Sequence, residues 1–443
     1  MLSNLVSSHG VFISGAILLI AYIFIAMEKI QKSVVALLGA AATLLLGLLP
    51  FKGYINQETG TYVKAVFDYI EFDVIFLLIG MMIIVSIASK SGVFKWIAIK
   101  LLHLTKGHPK RVLFTLAAFT AIASAFLDNV TTVVLIMPVT FVIAKEFDTD
   151  PIPFLITEVI ASNIGGTATL IGDPPNIIIG TRAGLSFLDF LLELTDIVTI
   201  IFIVVVSVLI FMFRKGLTAT PEKMAHIAKL DNSKTITDYG LMIRSMITLF
   251  LVILGFITHD ITHIAAYVFA LAGASFLLIF EKPKEIYKEV EWLTIFFFVG
   301  LFIIIGGFEA NGGISFLANK LIELTHGSLT AATMLILWGS GILSGIIDNI
   351  PYTATMAPLI DQVQHVIPYA GSGHNPMWWA LSLGACLGGN FTLIGAAANV
   401  LVSETATAKG YPISFMRFLK YGALTTFISL IICSVYLYFK YLT

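Results

Sequence analysis

The sequence predicts an all-α polytopic membrane protein built as an inverted repeat, two units that each combine five transmembrane (TM) helices with a re-entrant hairpin. Three observations carry this. Of 443 residues, 58% are hydrophobic and only 12% charged, with a mean hydropathy of +0.95, a composition foreign to soluble domains. Several apolar runs reach about 17 residues or more, enough to span a bilayer core. Finally, an unusual stretch in the first half, A-S-N-I-G-G-T-A-T-L-I-G-D-P-P-N from Ala161 to Asn176, has a counterpart in the second, L-G-G-N-F-T-L-I-G-A-A-A-N from Leu387 to Asn399.

The correspondence holds residue by residue. Gly165, Gly166, Thr169, Gly172 and Asn176 fall on Gly388, Gly389, Thr392, Gly395 and Asn399 at one offset of 223 residues. Upstream the offset is 220: Glu71 meets Glu291, Gly80 meets Gly300, Gly92 meets Gly312, Asp128-Asn129 meets Asp348-Asn349, and Pro138 meets Pro358. Chance does not hold a register over about seventy residues, so the chain is a duplication.

In order, repeat 1 occupies 1–213. Its scaffold helices fall at about 11–89 (11–27, 33–50 and 73–89), followed by a hairpin at 111–144, a broken helix at 153–179 and a helix at 191–213. The hairpin follows from length: as one helix the apolar run from Val112 to Ala144 would be roughly 50 Å long, too long for a bilayer, so it folds at Asp128-Asn129. The broken helix follows from its glycines and the Pro174-Pro175 pair, which a continuous span would not choose. A polar cytoplasmic linker occupies 214–240. Repeat 2, 241–443, has scaffold helices at about 241–308, a hairpin at 329–367, a broken helix at 377–402 and a final helix at 421–440. Segments 93–104, 314–324 and 411–420 read as amphipathic arms along the interface.

Five crossings per unit is an odd number, which places the two units in opposite orientations. The basic residues give an independent orientation. With the N-terminus outside, all of the 26 lysines and arginines except Lys52, Lys64, Arg182, Lys320 and Lys440 fall on the cytoplasmic side, as the positive-inside rule requires. Both termini are then expected outside, in the plasma (inner) membrane. The N-terminus has no basic leader or cleavage site, so Val11 to Met27 is expected to remain as the first span.

Composition also excludes. Net charge is −1, which gives nucleic acid nothing to bind, and all nine histidines sit at loops or helix ends, so no intramembrane histidine relay exists. Cys386 and Cys433 read as small core residues without a disulfide or metal framework. No nucleophile–base pair lies within the apolar segments, so no enzyme and no cofactor is expected.

Carboxylates remain. Asp128 and Asp348 lie in the middle of apolar runs, where a charge is expensive unless paired, hydrated or bound to a cation. Two readings stand: a tight Asp-Asn turn, or a site in which helices starting at the tips aim amides and positive dipole ends inward. Polar residues follow each tip, Thr131-Thr132 and Tyr352-Thr353. Interrupted helices at corresponding points of two halves are the sequence pointer to a transporter's midplane site. Glu158 and Asp173 face Leu381 and Ala396 in the other half, so the halves are chemically unequal. Glu158 suits either proton-for-cation exchange or a structural hydrogen bond, and Asp173 either ion binding or a cap. Asn163 and Asn390 are not strict equivalents, which points to two chemically different subsites.

The motifs L-D-N-V-T-T-V-V-L-I-M-P (127–138), A-S-N-I-G-G-T-A-T-L-I-G-D-P-P-N (161–176), I-D-N-I-P-Y-T-A-T-M-A-P (347–358) and G-G-N-F-T-L-I-G-A-A-A-N (388–399) together resemble the ion transporter superfamily. The nearest branch holds arsenite permeases, D-type sodium/proton antiporters and the melanosomal P protein, with citrate carriers and divalent anion/sodium symporters further off. The resemblance implies an elevator-type homodimer whose hairpins and broken helices carry the substrate. It places ion or substrate contacts at Asp128, Asn129, Thr132, Asn163, Gly165, Gly166, Thr169, Gly172, Asp173 and Asn176, and at Asp348, Asn349, Thr353, Gly388, Gly389, Asn390, Thr392, Gly395 and Asn399. Sodium is expected at Asn129 and Asn349. The anion symporters carry serine at each tip where this chain has Asp128 and Asp348, and the added carboxylates favour cation or proton handling over a dicarboxylate. The expected function is proton-coupled exchange of a small ion, with H+ and/or Na+ as coupling ion and Asp128, Asp348 and Glu158 carrying protons. The alternatives are arsenite or antimonite efflux, transport of a small organic or inorganic anion, and an ion channel.

Overall fold

The computed structural model describes residues 2–55, 62–227 and 235–443. The first half of the chain forms α1 (Leu2–Met27), α2 (Lys32–Leu45), α3 (Phe72–Lys90), α4 (Val93–Leu104), α5 (Pro109–Ser124), α6 (Asn129–Phe147), α7 (Ile152–Gly166), α8 (Pro174–Ala183) and α9 (Phe187–Phe213). A two-stranded antiparallel ribbon, β1 (Tyr54–Ile55) and β2 (Tyr62–Val63), lies between α2 and α3. After α10 (Pro221–Ile227) come α11 (Tyr239–Ile257), α12 (His259–Thr262), α13 (Ala266–Leu278), α14 (Pro283–Ile286), α15 (Trp292–Ala310), α16 (Gly313–Thr325), α17 (Leu329–Ile347), α18 (Asn349–Gln364), α19 (Pro376–Gly388), α20 (Ala397–Ala408) and α21 (Phe415–Leu437). Among the described residues eight helices are long and apolar enough to cross a membrane.

The packing is pseudo-symmetric. α2 lies along α15 and α3 along α13, while α1 rests on α2 and α15 as α11 rests on α13 and α3. Exchanging equivalent helices turns each contact into the other. The repeat glycines explain the closeness: a Cβ on Gly80 would sit 2.8 Å from the Ala270 carbonyl carbon, and one on Gly300 2.6 Å from that of Ala36. Small residues at such crossings let backbones approach in a lipid environment, where packing rather than hydrophobic driving force holds helices together. Gly92 and Gly312, also equivalent, both start a helix from a left-handed conformation at φ 81° and 85°, which a residue with a Cβ adopts only with strain.

Each half also reaches into the other. The hairpin helix α6 packs on α20, and α18 packs on α8, while α5 with α7 and α17 with α19 form the within-half pairs. Thus hairpin tips and helix breaks from both halves meet.

Several boundaries differ from the sequence reading. The arm expected at 411–420 is not separate: α21 starts at Phe415, capped by Ser414, whose hydroxyl accepts from the Arg417 N–H at 3.2 Å. Arg417 pairs with Asp150 at 2.9 Å, so the charged residues belong to the helix's polar end. α9 starts at Phe187 rather than 191 because Ser186 and Asp189 form a capping box, which satisfies two otherwise free amides. The linker expected as plain polar chain contains α10, whose Ile227 is fully buried; Lys229 and Lys234 in it lie outside the described residues.

Substituting valine at Gly80 or Gly300 is expected to destabilise the protein by about 1–3 kcal/mol through overpacking, read as a lower melting temperature in detergent. Gly339→Ala, with nothing within 4 Å of the new methyl, is the control and is expected to be neutral or stabilising by up to about 1 kcal/mol.

Candidate functional site

Two kinds of local structure build the site, helix breaks and hairpin tips. At each break the freed carbonyls need donors, because lipid offers no water. Asn176 supplies them in the first half: its Nδ2 donates to the Thr169 carbonyl at 2.9 Å and the Thr167 carbonyl at 3.1 Å. Asn399 does the same in the second, donating to Gly389 at 2.8 Å and Thr392 at 3.0 Å. The threonines tie each break to its own hairpin: the Thr169 hydroxyl donates to the Ala125 carbonyl and the Thr392 hydroxyl to the Gly345 carbonyl, residues again 220 apart.

The glycines permit backbone contact. A Cβ on Gly166 or Gly172 would lie 2.6 Å from the other's carbonyl oxygen, and one on Gly395 2.8 Å from the Gly389 oxygen. Gly165 and Gly388 press against the backbones of Ala121 and Gly341 on the hairpin helices. These glycines let the break fold tightly on itself and on the hairpin.

The hairpin tips differ. Asp128 caps α6, accepting from the Thr131 N–H at 2.8 Å and also from the Thr131 hydroxyl. Four residues turn the first hairpin, whereas the second turns on Asp348 alone, at φ 114° and ψ 135°. A non-glycine residue there stores strain of about 1–3 kcal/mol. Asp348 caps α18 through the Ile350 N–H at 3.0 Å and pairs with Lys32 at 2.6 Å, and Lys32 also lies 3.3 Å from Glu28.

These parts converge on a cavity of about 340 Å³. The N-termini of α6, α8, α18 and α20 all border it, with lining residues Asp128, Asp173, Asp348 and Ala396 at the cap positions. Three of the four positive dipole ends are therefore met by a carboxylate of the chain itself. Glu28, Glu291 and Glu404 also line the cavity, with Lys32 as the one basic residue among the described lining. The halves touch inside it, since the Asn349 amide donates to the Asp173 carboxylate at 3.3 and 3.4 Å.

Of the residues expected from sequence, Asp128, Asn129, Asp173, Asp348 and Asn349 line the cavity. Asn129 accepts from the Ser124 hydroxyl at 2.5 Å. Thr353 is buried with its hydroxyl donated to the Asn349 carbonyl at 2.7 Å, and the buried Thr132 hydroxyl has no partner among the described residues. Asn163 and Asn390 are not two subsites. The Asn163 amide donates to Asn390 Oδ1 at 2.9 Å and to Asn399 Oδ1 at 3.1 Å, one network joining both breaks, with Asn163 Oδ1 unpartnered. Glu158 is buried apart from the cavity lining, its two oxygens 2.6 and 2.8 Å from the Thr140 hydroxyl. Among the described residues no group of three or more His, Cys, Asp or Glu side chains forms a metal cage.

Sequence reasoning missed four charged lining residues. Lys32 entered only as a topology marker and Glu291 only as a register marker; Glu28 and Glu404 gave no signal.

An all-helical membrane protein with breaks, hairpin tips and cross-half contacts around a charged cavity has the architecture of a membrane transporter. The sequence profile of the citrate transporter family (CitMHS) matches residues 22–384. The chain belongs to that family, within the ion transporter superfamily. An uncharacterized transporter of Mycobacterium bovis is 42% identical over 432 residues, covering 97% of this chain and 98% of that protein. The human P protein is 31% identical over 491 residues, covering 93% of this chain and 58% of that longer protein. In fold, the YdaH transporter of Alcanivorax borkumensis, whose crystal structure is described as having an unusual topology, superposes with a TM-score of 0.56 at 15% identity, covering 97% of both chains. The comparisons place the chain in the superfamily as a whole rather than in one branch.

Asn399→Ala strands the buried Gly389 and Thr392 carbonyls and should cost about 1–3 kcal/mol, as for other unsatisfied buried polar groups, with Asn176→Ala similar. Asp128→Asn keeps an N-cap of nearly equal quality and should melt close to the parent protein in the same thermal assay.

Proposed function

We propose that this protein is a secondary active transporter performing proton-coupled exchange of a small monovalent cation, sodium first, within the antiporter-like branch of its superfamily. One observation carries the reading: six carboxylates and a single ammonium line the cavity, and three helix N-termini stabilise three of those carboxylates. An anionic substrate would enter against that charge. A cation or a proton enters with it.

In this reading Asp128, Asp348 and Glu158 are the proton-carrying carboxylates, and oxygens at the tips, including Asn129, hold the cation beside Asp128 and Asp173. Asn349, whose amide nitrogen is spent on Asp173, contributes through its carbonyl oxygen. The two repeats, 1–213 and 241–443, are oppositely oriented, with both termini outside the plasma membrane. The hairpins and broken helices form a unit that moves past the scaffold in a homodimer. The pseudo-symmetric pairing of α2 with α15 and α3 with α13 supports the repeat, and motion of one unit past the other supplies alternating access. The branch assignment is supported by the P protein match.

A small anion is favoured by one feature. Where Asp173 places a carboxylate at the start of α8, the equivalent Ala396 leaves the start of α20 with neither a side-chain cap nor a negative charge, and free amides at a helix start suit an oxyanion.

Purified protein in proteoliposomes under an imposed pH gradient separates these readings by uptake of sodium, arsenite or citrate. Sodium movement against its gradient, driven by protons, is the expected result. Citrate accumulation with no sodium flux favours the anion reading, and flux that never drives accumulation favours a channel. In the same assay Asp128→Asn is expected to abolish coupled flux, a loss of at least about 100-fold on removing a required proton carrier. Normal coupled flux in that variant removes Asp128 from the mechanism.

A further inference from the structure

The two tip aspartates are equivalent in the repeat and unequal in what neutralises them. Asp348 is buried, and its carboxylate is held by the Lys32 ammonium at 2.6 Å. Among the described residues Asp128 is held by neutral donors, the Thr131 amide and hydroxyl among them, and no lysine or arginine lies within ion-pair distance of Asp128, Asp173, Glu291 or Glu404. Lys32 begins α2, a helix packed on α15, whereas Asp348 begins α18 of the second hairpin. The ion pair therefore joins two bodies that the exchange reading sets in relative motion. Lysine suits a bond that must be made and broken, because its charge is compact, strongly hydrated and carried on a flexible stem.

We propose that Lys32 is the site's resident counter-cation: its ammonium occupies Asp348 when the cavity is empty and is displaced by the incoming substrate cation. The proposal rests on the exchange reading given above and changes one part of it: Asp128 and Glu158 carry the proton, and Asp348 carries none. Asp128 gains its cation in exchange for a proton, whereas Asp348 gains its cation in exchange for a side chain that stays with the protein. The empty carrier then returns with Asp348 already neutralised and needs no proton there. The charged groups facing Lys32 are Glu28, four residues before it in the link between α1 and α2, and Asp348 across from it, with Glu404 also lining the cavity. Displaced from Asp348, the ammonium still has Glu28 at 3.3 Å as a partner.

The test is sodium uptake kinetics in proteoliposomes with five proteins: parent, Lys32→Gln, Lys32→Arg, Asp348→Asn, and Lys32→Gln combined with Asp348→Asn. Removing a tethered competitor should lower the KM for sodium in Lys32→Gln by up to about fivefold, the upper end of the range for a partly exposed ion pair. Its kcat should fall, because the empty carrier now returns with an uncompensated carboxylate. Lys32→Arg should stay near the parent KM. A purely structural lysine predicts the reverse for Lys32→Gln, a raised KM from a displaced Asp348.

Breaking one side of a buried pair destabilises more than removing both, so a second comparison covers poor folding of the single variant. Asp348→Asn leaves the ammonium facing the cavity with no carboxylate opposite, and adding Lys32→Gln to it should lower the KM for sodium again. Equal KM values in those two proteins, or an unchanged or raised KM in well-folded Lys32→Gln, overturn the proposal while leaving sodium exchange intact. Absence of sodium flux in the parent protein overturns the exchange reading and this proposal with it.

Discussion

A helix that stops inside a bilayer leaves carbonyls and amides with no water to receive them, and the protein's cavity exists because side chains of the chain itself take that place. Asn176 and Asn399 satisfy the carbonyl ends of the two breaks, and Asp128, Asp173 and Asp348 occupy cap positions at three of the amide ends. Remove the need for such partners and nothing would keep polar residues at this depth. Grant it, and the asparagines, threonines and glycines of the repeat follow as consequences of folding two interruptions against two hairpins.

That constraint separates residues that make the site from residues that face it. An asparagine whose amide is committed to its own loop has one end left to offer, and Asn399 offers that end to Asn163. The network Asn163–Asn390–Asn399 thus fixes the two breaks to each other, a rigid floor under a cavity whose lining is mostly carboxylate. Packing supplies the walls: hairpin helices of each half lie on the broken helices of the other, so a displacement of one half's hairpin must carry the other half's break with it. Such coupling is what a unit moving as one body requires.

Much of this was legible in the sequence because it is periodic or symmetric. The offset of 220 residues located both tips and reappears as nearly equal dihedral angles at Gly92 and Gly312, while the offset of 223 reappears as matching hydrogen bonds from Thr169 and Thr392. What escaped was asymmetric or depended on side-chain direction. Lys32 and Glu404 have no counterpart that a repeat comparison would flag, and only the fold brings them to Asp348 and its neighbours. Asn163 and Asn390 failed as separate subsites because sequence alignment of the repeats reports equivalence, not proximity. The arm at 411–420 failed because local polarity was read as an interface segment when Ser414 simply starts a helix there.

The asymmetry extends to the scaffold. Glu71 and Glu291 are equivalents that cap α3 and α15, yet Glu291 lines the cavity with Asp128, whereas Glu71 lies 3.7 Å from Arg182 at the far end of α8. Arg182 also pairs with Glu309 and Asp361, each at 3.1 Å, so it joins scaffold helices to the hairpin and broken helix on that side. In the exchange reading proposed above, a chain whose two halves have the same fold but different ion pairs stands in one of two arrangements that its symmetry makes available. Exchanging the roles of the repeats brings Glu71 toward Asp348 and withdraws Glu291 from Asp128, which requires both the Arg182 cluster and the Lys32–Asp348 pair to open. Each pair exchanges partly hydrated charges rather than packed apolar surface, so opening them costs less than unpacking a core of comparable area.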